Sequence, residues 1–167
     1  MTAWTSTPRT WVAGEVPTAT HFNENVRDFG RAFADAWASY TPTLTASTTN
    51  PTNWTQTGYY MQAGKLVVAK LLLTAGASMT AGSGTYRIAL PVNANTTLGT
   101  QYIGTLTLRD ASTGSNFYAQ ASVSNTAYVT LNYAATYGGG ATNVANNAPW
   151  TWAASDFIAG TITYEAE

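Results

Sequence analysis

Residues 55–74 read Thr55-Gln-Thr-Gly-Tyr-Tyr-Met-Gln-Ala-Gly-Lys-Leu-Val-Val-Ala-Lys-Leu-Leu-Leu-Thr74. Ala63-Gly64 is a hairpin turn signal, so the stretch predicts two antiparallel strands, Thr55–Gln62 and Leu66–Thr74. In the second strand Val67, Ala69, Leu71 and Leu73 make one apolar face, yet the opposite face still holds Leu66, Val68 and Leu72. An antiparallel sheet normally keeps one face in water. A strand apolar on both sides therefore needs a second cover, either another subunit or a helix of its own chain.

Outward from this hairpin the same pattern continues as short alternating runs separated by turn formers, which predicts an antiparallel β-sandwich or barrel. The further candidate strands are Thr41–Ala46, Thr85–Leu90, Gln101–Arg109, Asn116–Ser124, Ala127–Ala134 and Phe157–Glu165, with Ser112-Thr113-Gly114 as a second hairpin turn. Clean apolar faces are expected from Tyr102, Leu106 and Leu108, from Val129, Leu131 and Tyr133, and from Ile158, Ile162 and Tyr164.

Upstream of the strands the period changes. Thr18 is a candidate N-cap, and a helix is expected from about Ala19 to about Ser39. Its apolar positions are Phe22, Val26, Phe29, Phe33, Ala36 and Tyr40, spaced by four and three in alternation as in a coiled-coil seam. Burying a large apolar side chain stabilises by roughly 1.5–3 kcal/mol, against about 1 kcal/mol lost at Gly30, so the stripe wins if it has something to pack on. It can lie on its own β domain or join several copies in a bundle, and the doubly apolar strand tips the expectation toward copies. Before the helix, Trp4 and Trp11 stand among turn formers, which predicts an extended arm. The organisation expected is thus an arm and helix over 1–40 and a β head over 41–167.

Composition bounds the chemistry. Of 167 residues only 9% are charged, against about a quarter in an average soluble protein. With 45% apolar residues and a net charge of −1 the chain should still fold compactly. It has no basic stripe for nucleic acid or anionic lipid, so neither is an expected partner. There is no cysteine, hence no disulfide framework and no thiolate zinc site. The start, Met1 to Trp11, has neither the basic nor the apolar region of a cleaved export signal, and no window is long enough to span a membrane.

No constellation for catalysis is complete. His21 with Glu24 one turn later would be a metal pair short of the three protein ligands that zinc usually takes. Gly82-Ser83-Gly84 is too short for a nucleophile elbow, and Gly138-Gly139-Gly140 lacks the spacing of a phosphate loop. Asp110 and Asp156 are the only acids between Asp35 and Glu165, and nothing pairs them for glycoside hydrolysis. Asn53-Trp54-Thr55 and Asn95-Thr96-Thr97 match the glycosylation pattern, which is frequent by chance. The expectation is no enzyme and no cofactor. Aromatics remain: Trp54, Trp150 and Trp152 could form a surface platform for sugar rings or a protein partner, although packing in the core is the commoner fate. In an extended segment Trp150 and Trp152 point to one side.

Thr7-Pro8-Arg9-Thr10-Trp11-Val12-Ala13-Gly14-Glu15-Val16, followed by Thr18-Ala19, Asn23 and Arg27-Asp28, resembles the opening of tailed-bacteriophage virion proteins of the minor tail, fibre or head-decoration type. The hairpin Gly58–Lys65, the run Gly84–Pro91 and the close from Pro149 to Ala166 look like the β-sandwich, jelly-roll-like head that often follows it. The resemblance implies a virion component without enzyme activity, commonly trimeric, made in the host cytoplasm and docked on phage capsid or tail proteins through an arm that here carries Trp4, Pro8, Arg9 and Trp11. The repetitive shaft of many such proteins is missing, which favours a capsid-decoration or head-fibre protein. The alternative is a short tail fibre or receptor-binding tip that recognises host surface glycans.

Overall fold

The computed structural model describes residues 12–23, 30, 37–134 and 139–167. Helix α1 covers Ala19–Phe22, and the strands are β1 Ala38–Tyr40, β2 Leu44–Ala46, β3 Thr52–Ala63, β4 Leu66–Thr80, β5 Tyr86–Ala89, β6 Gln101–Arg109, β7 Asn116–Val123, β8 Tyr128–Ala134, β9 Ala141–Asn143 and β10 Phe157–Glu165. The chain is mainly β, and every strand pair is antiparallel. The strands form a single sheet in the order β1-β3-β4-β10-β6-β7-β8-β5-β2, with β9 beside β8.

This sheet curls so far that its two ends meet. Trp54, on the strand second from one end, packs edge-on to Tyr86, on the strand second from the other, with ring centroids 6.4 Å apart. The Leu44 N–H on the last strand donates to the Gln56 Oε1 of β3 at 3.3 Å. Curling gives each strand an inner face, and the alternation seen in the sequence fills it: Val67, Ala69, Leu71 and Leu73 from β4, Val129, Leu131 and Tyr133 from β8, and Ile158, Ile162 and Tyr164 from β10 are all buried.

Two expectations need correcting. The helix does not reach Ser39, because Ala38–Tyr40 already pair with Gly58–Tyr60 of β3. Tyr40 therefore leaves the helical stripe; its ring lies edge-on to Tyr60 at 5.9 Å and fills the space that Gly58 leaves open. Val26, Phe29, Phe33 and Ala36 lie outside the described residues. Tyr102 is the second correction. A bulge between Tyr102 and Gly104 inserts one residue, so Tyr102 turns outward and is exposed while Leu106 and Leu108 stay buried. Thr18 does cap α1: its Oγ1 accepts from the His21 N–H, and His21 Nδ1 accepts from the Thr18 N–H. The hairpin turns hold as well, with Gly64 at φ 61° and Gly114 at φ 74°, where a side chain would be strained.

Candidate functional site

The acidic pair comes apart on inspection of its bonds. Asp156 is fully buried, and its Oδ1 accepts from the Ala111 N–H at 2.9 Å while Oδ2 accepts from the Trp150 Nε1–H and the Ala153 N–H, both at 2.8 Å. Three donors on one carboxylate make it a brace for the loop before β10. Asp110 sits at the β6–β7 turn, where its Oδ1 accepts from the Ser112 N–H, the Ser112 hydroxyl and the Thr113 N–H. The Ser112 hydroxyl leads in holding the Asp110 carboxyl below the usual carboxylate range. Both acids are thus committed to local backbone and side-chain donors.

The other motifs are similarly committed. Ser83 in Gly82-Ser83-Gly84 exchanges backbone bonds with Thr49, and a side chain at Gly82 would meet the Thr49 carbonyl oxygen. Asn53 of the first glycosylation pattern donates its side-chain amide to the Ser78 carbonyl at 2.8 Å. His21 lies 3.9 Å from the Glu15 carboxylate, and Glu24 is outside the described residues. Among the described residues no group of three or more His, Cys, Asp or Glu side chains converges on a metal position, and no helix is long and apolar enough to cross a membrane. The buried phenols are no source of ionised oxygen at neutral pH: burial pushes Tyr40 and Tyr86 strongly upward, and Tyr164, whose hydroxyl donates to the Val92 carbonyl, up to about 12.

Of the expected surface platform, two members are inside. Trp54 and Trp152 are buried at 8% and 4% exposure, and Trp150 is half-buried. They form an aromatic row across the curled sheet: Trp54 meets Trp152 at 5.5 Å, Trp152 meets Trp150 at 4.9 Å, Trp150 meets Phe117 at 5.6 Å, and Phe117 meets Tyr133 at 6.1 Å. Such contacts add roughly 0.5–1.5 kcal/mol each beyond the area they bury. Trp150 and Trp152 do share a side, as their spacing predicts. That side is the interior.

What remains available is the outer face of the sheet, which the pairing register lays out in rows. One row runs Tyr59, Lys70, Thr161, Thr105, Gln120, Asn132, Asn143, one residue from each of β3, β4, β10, β6, β7, β8 and β9. The row crosses two regions of different character. On the β3–β4 side, Leu66 and Leu72 stand 49% and 45% exposed beside Val68. Lys70 is the charge among them, and its ammonium lies under the rings of Trp37 at 4.7 Å and Tyr59 at 5.5 Å. On the β6–β9 side a shallow cavity of about 360 Å³ opens around Tyr118, Gln120 and Asn132.

Comparison of the chain with protein-family models, curated proteins and solved structures finds no match. Function must therefore be argued from these surfaces. Phe22, the first residue of the expected seam, is 53% exposed at the end of α1. Trp4, Pro8, Arg9 and Trp11 lie outside the described residues. Trp37 was missed by sequence reasoning, since it falls between the helical and the strand periodicities and belongs to neither.

Proposed function

We propose that the chain is a bacteriophage virion structural protein, a trimeric capsid-decoration or head-fibre protein that docks through its N-terminal arm and presents its β head outward. The head is a jelly-roll-like sandwich made by folding the curled sheet over its aromatic row. The observation that carries this reading is the exposed apolar outer face of β4, Leu66, Val68 and Leu72. Exposed apolar residues grouped on one face, here with a single lysine among them whose ammonium lies against two aromatic rings, mark a contact surface. Trp37, one residue before β1, lies over Lys70 on this same face. β1 therefore begins beside the patch, and copies that join there bring their β4 faces together.

The test is solution mass by light scattering at micromolar concentration. A mass of three chains is expected, with Leu66→Glu/Leu72→Glu shifting it toward one chain while circular dichroism stays unchanged. A single-chain mass for the unaltered protein sinks the trimer. Binding to purified phage particles, lost on removal of residues 1–17, is the corresponding test of the arm.

The second reading, a receptor-binding tip for host surface glycans, loses Trp54 and Trp152 as its contact residues. It is favoured by the exposed Tyr102 and Tyr118.

A further inference from the structure

The β6–β9 cavity differs in character from the apolar patch, and its side chains are not bound to one another. Tyr118 is 66% exposed on β7. Gln120, two residues along and on the same face, faces Thr105 of β6 on one side and Asn132 of β8 on the other. Neither the Gln120 amide nor the Thr105 and Tyr118 hydroxyls have a hydrogen-bond partner among the described residues, so each can donate and accept outward. Asn132 is different, because a neighbour on the same face fixes it. Its Nδ2–H donates to the buried Ser122 Oγ at 2.7 Å, and that hydroxyl is itself shared with Thr130 Oγ1 at 2.9 Å. The anchored Nδ2 aims Oδ1 as a set acceptor. Tyr133, Ala134, Gly139 and Ala141 line the remaining side, and among the described residues no charged side chain lines the cavity.

A ligand for this surface must be neutral, rich in hydroxyl groups and possess an apolar face for one aromatic ring. We propose that the outer face of β6–β9 binds a neutral saccharide, with Tyr118 under the sugar ring and Thr105, Gln120 and Asn132 bonding its hydroxyls. The row from Thr105 to Asn132 spans two strand spacings, roughly 10 Å, a length that a short oligosaccharide covers. The cavity volume falls at the low end of the range of about 300–1,000 Å³ for small-molecule sites. A shallow, open site with one ring predicts weak binding per copy, raised by multivalency wherever copies assemble. The site does not rest on the virion reading; a chain that forms trimers and ignores sugars fails here alone.

The experiment is an NMR titration of the full chain with glucose, galactose, mannose and N-acetylglucosamine, and separately with N-acetylneuraminic acid. With at least one neutral sugar, saturable shifts in the millimolar range are expected at the side-chain amides of Gln120 and Asn132. Tyr118→Ala should weaken that binding about tenfold and Gln120→Ala about fivefold, with Tyr118→Phe close to wild type. Because Tyr118 is exposed, its variants should leave the core signals of Leu106 and Leu131 in place, which checks the fold. Three outcomes overturn the proposal: no saturable shift at these amides with any neutral sugar, equal shifts in the folded Tyr118→Ala variant, or tighter binding of the acidic sugar.

Discussion

Asp156 and Asp110 show how one residue type takes opposite positions for the same reason, the need of a carboxylate for donors. Asp156 is buried with three N–H groups on its two oxygens and no cation beside it among the described residues. Asp156→Asn keeps the shape, but whichever way the amide turns, its NH₂ faces an N–H. The variant should lose at least about 2 kcal/mol of stability, measured by urea unfolding at neutral pH. Asp110 is at the surface, and its effect is seen in pH dependence. Its carboxyl is held below the ordinary value of about 3.9 in the folded state, so its contribution is present above that value and fades as pH falls through the lower, folded value. Asp110→Asn should therefore be less stable than wild type at neutral pH, with the difference closing in acid. A difference that stays constant down to the acid limit would show that the turn does not use the charge.

At the scale of elements, the short strands at the ends of the sheet are held by side chains as much as by ladders. On β2 the Leu44 N–H donates to Gln56, and the Ala46 N–H to Asn50 Oδ1 at 3.0 Å, which removes free donors from an edge that could otherwise pair with another chain. On β1 the seat is made by a missing side chain: a Cβ at Gly58 would collide with the Tyr40 ring. Gly58→Ala should displace Tyr40 and detach β1, read as faster amide hydrogen exchange at Ala38–Tyr40 with β3–β4 protection kept. Adding Tyr40→Ala should relieve the collision and restore part of the pairing, whereas no change in exchange for Gly58→Ala would mean that the ring moves aside at no cost. The bulge at Tyr102 belongs at this scale too. Alternation alone puts Tyr102 with Leu106, and only the partner strand's register reveals the inserted residue.

For the whole molecule, the proposed closure of the open apolar β4 face between chains would tie folding to association. Thermal midpoints should then rise with protein concentration, and Leu66→Glu/Leu72→Glu should abolish that dependence. A midpoint independent of concentration in the unaltered protein would count against a β4 interface. The sequence by itself determined the positions of the longer strands, though not of β1, which it reads as helix, or of β9, together with the hairpins at Gly64 and Gly114, the Thr18 cap and the buried faces of β4, β8 and β10, because these depend on local periodicity and turn chemistry. It also identified the second apolar face of β4 at Leu66, Val68 and Leu72. The tertiary structure decided the rest. The order of the strands follows from pairings between residues far apart in the chain, such as Phe157–Glu165 with both β4 and β6. The fate of Trp54 and Trp152 followed from the curl, which turns into an interior the side that a flat sheet would leave open. The cavity around Tyr118 exists only because register aligns Thr105, Gln120 and Asn132 on three neighbouring strands, and alternation within a strand carries no information about which residue lies opposite on the next.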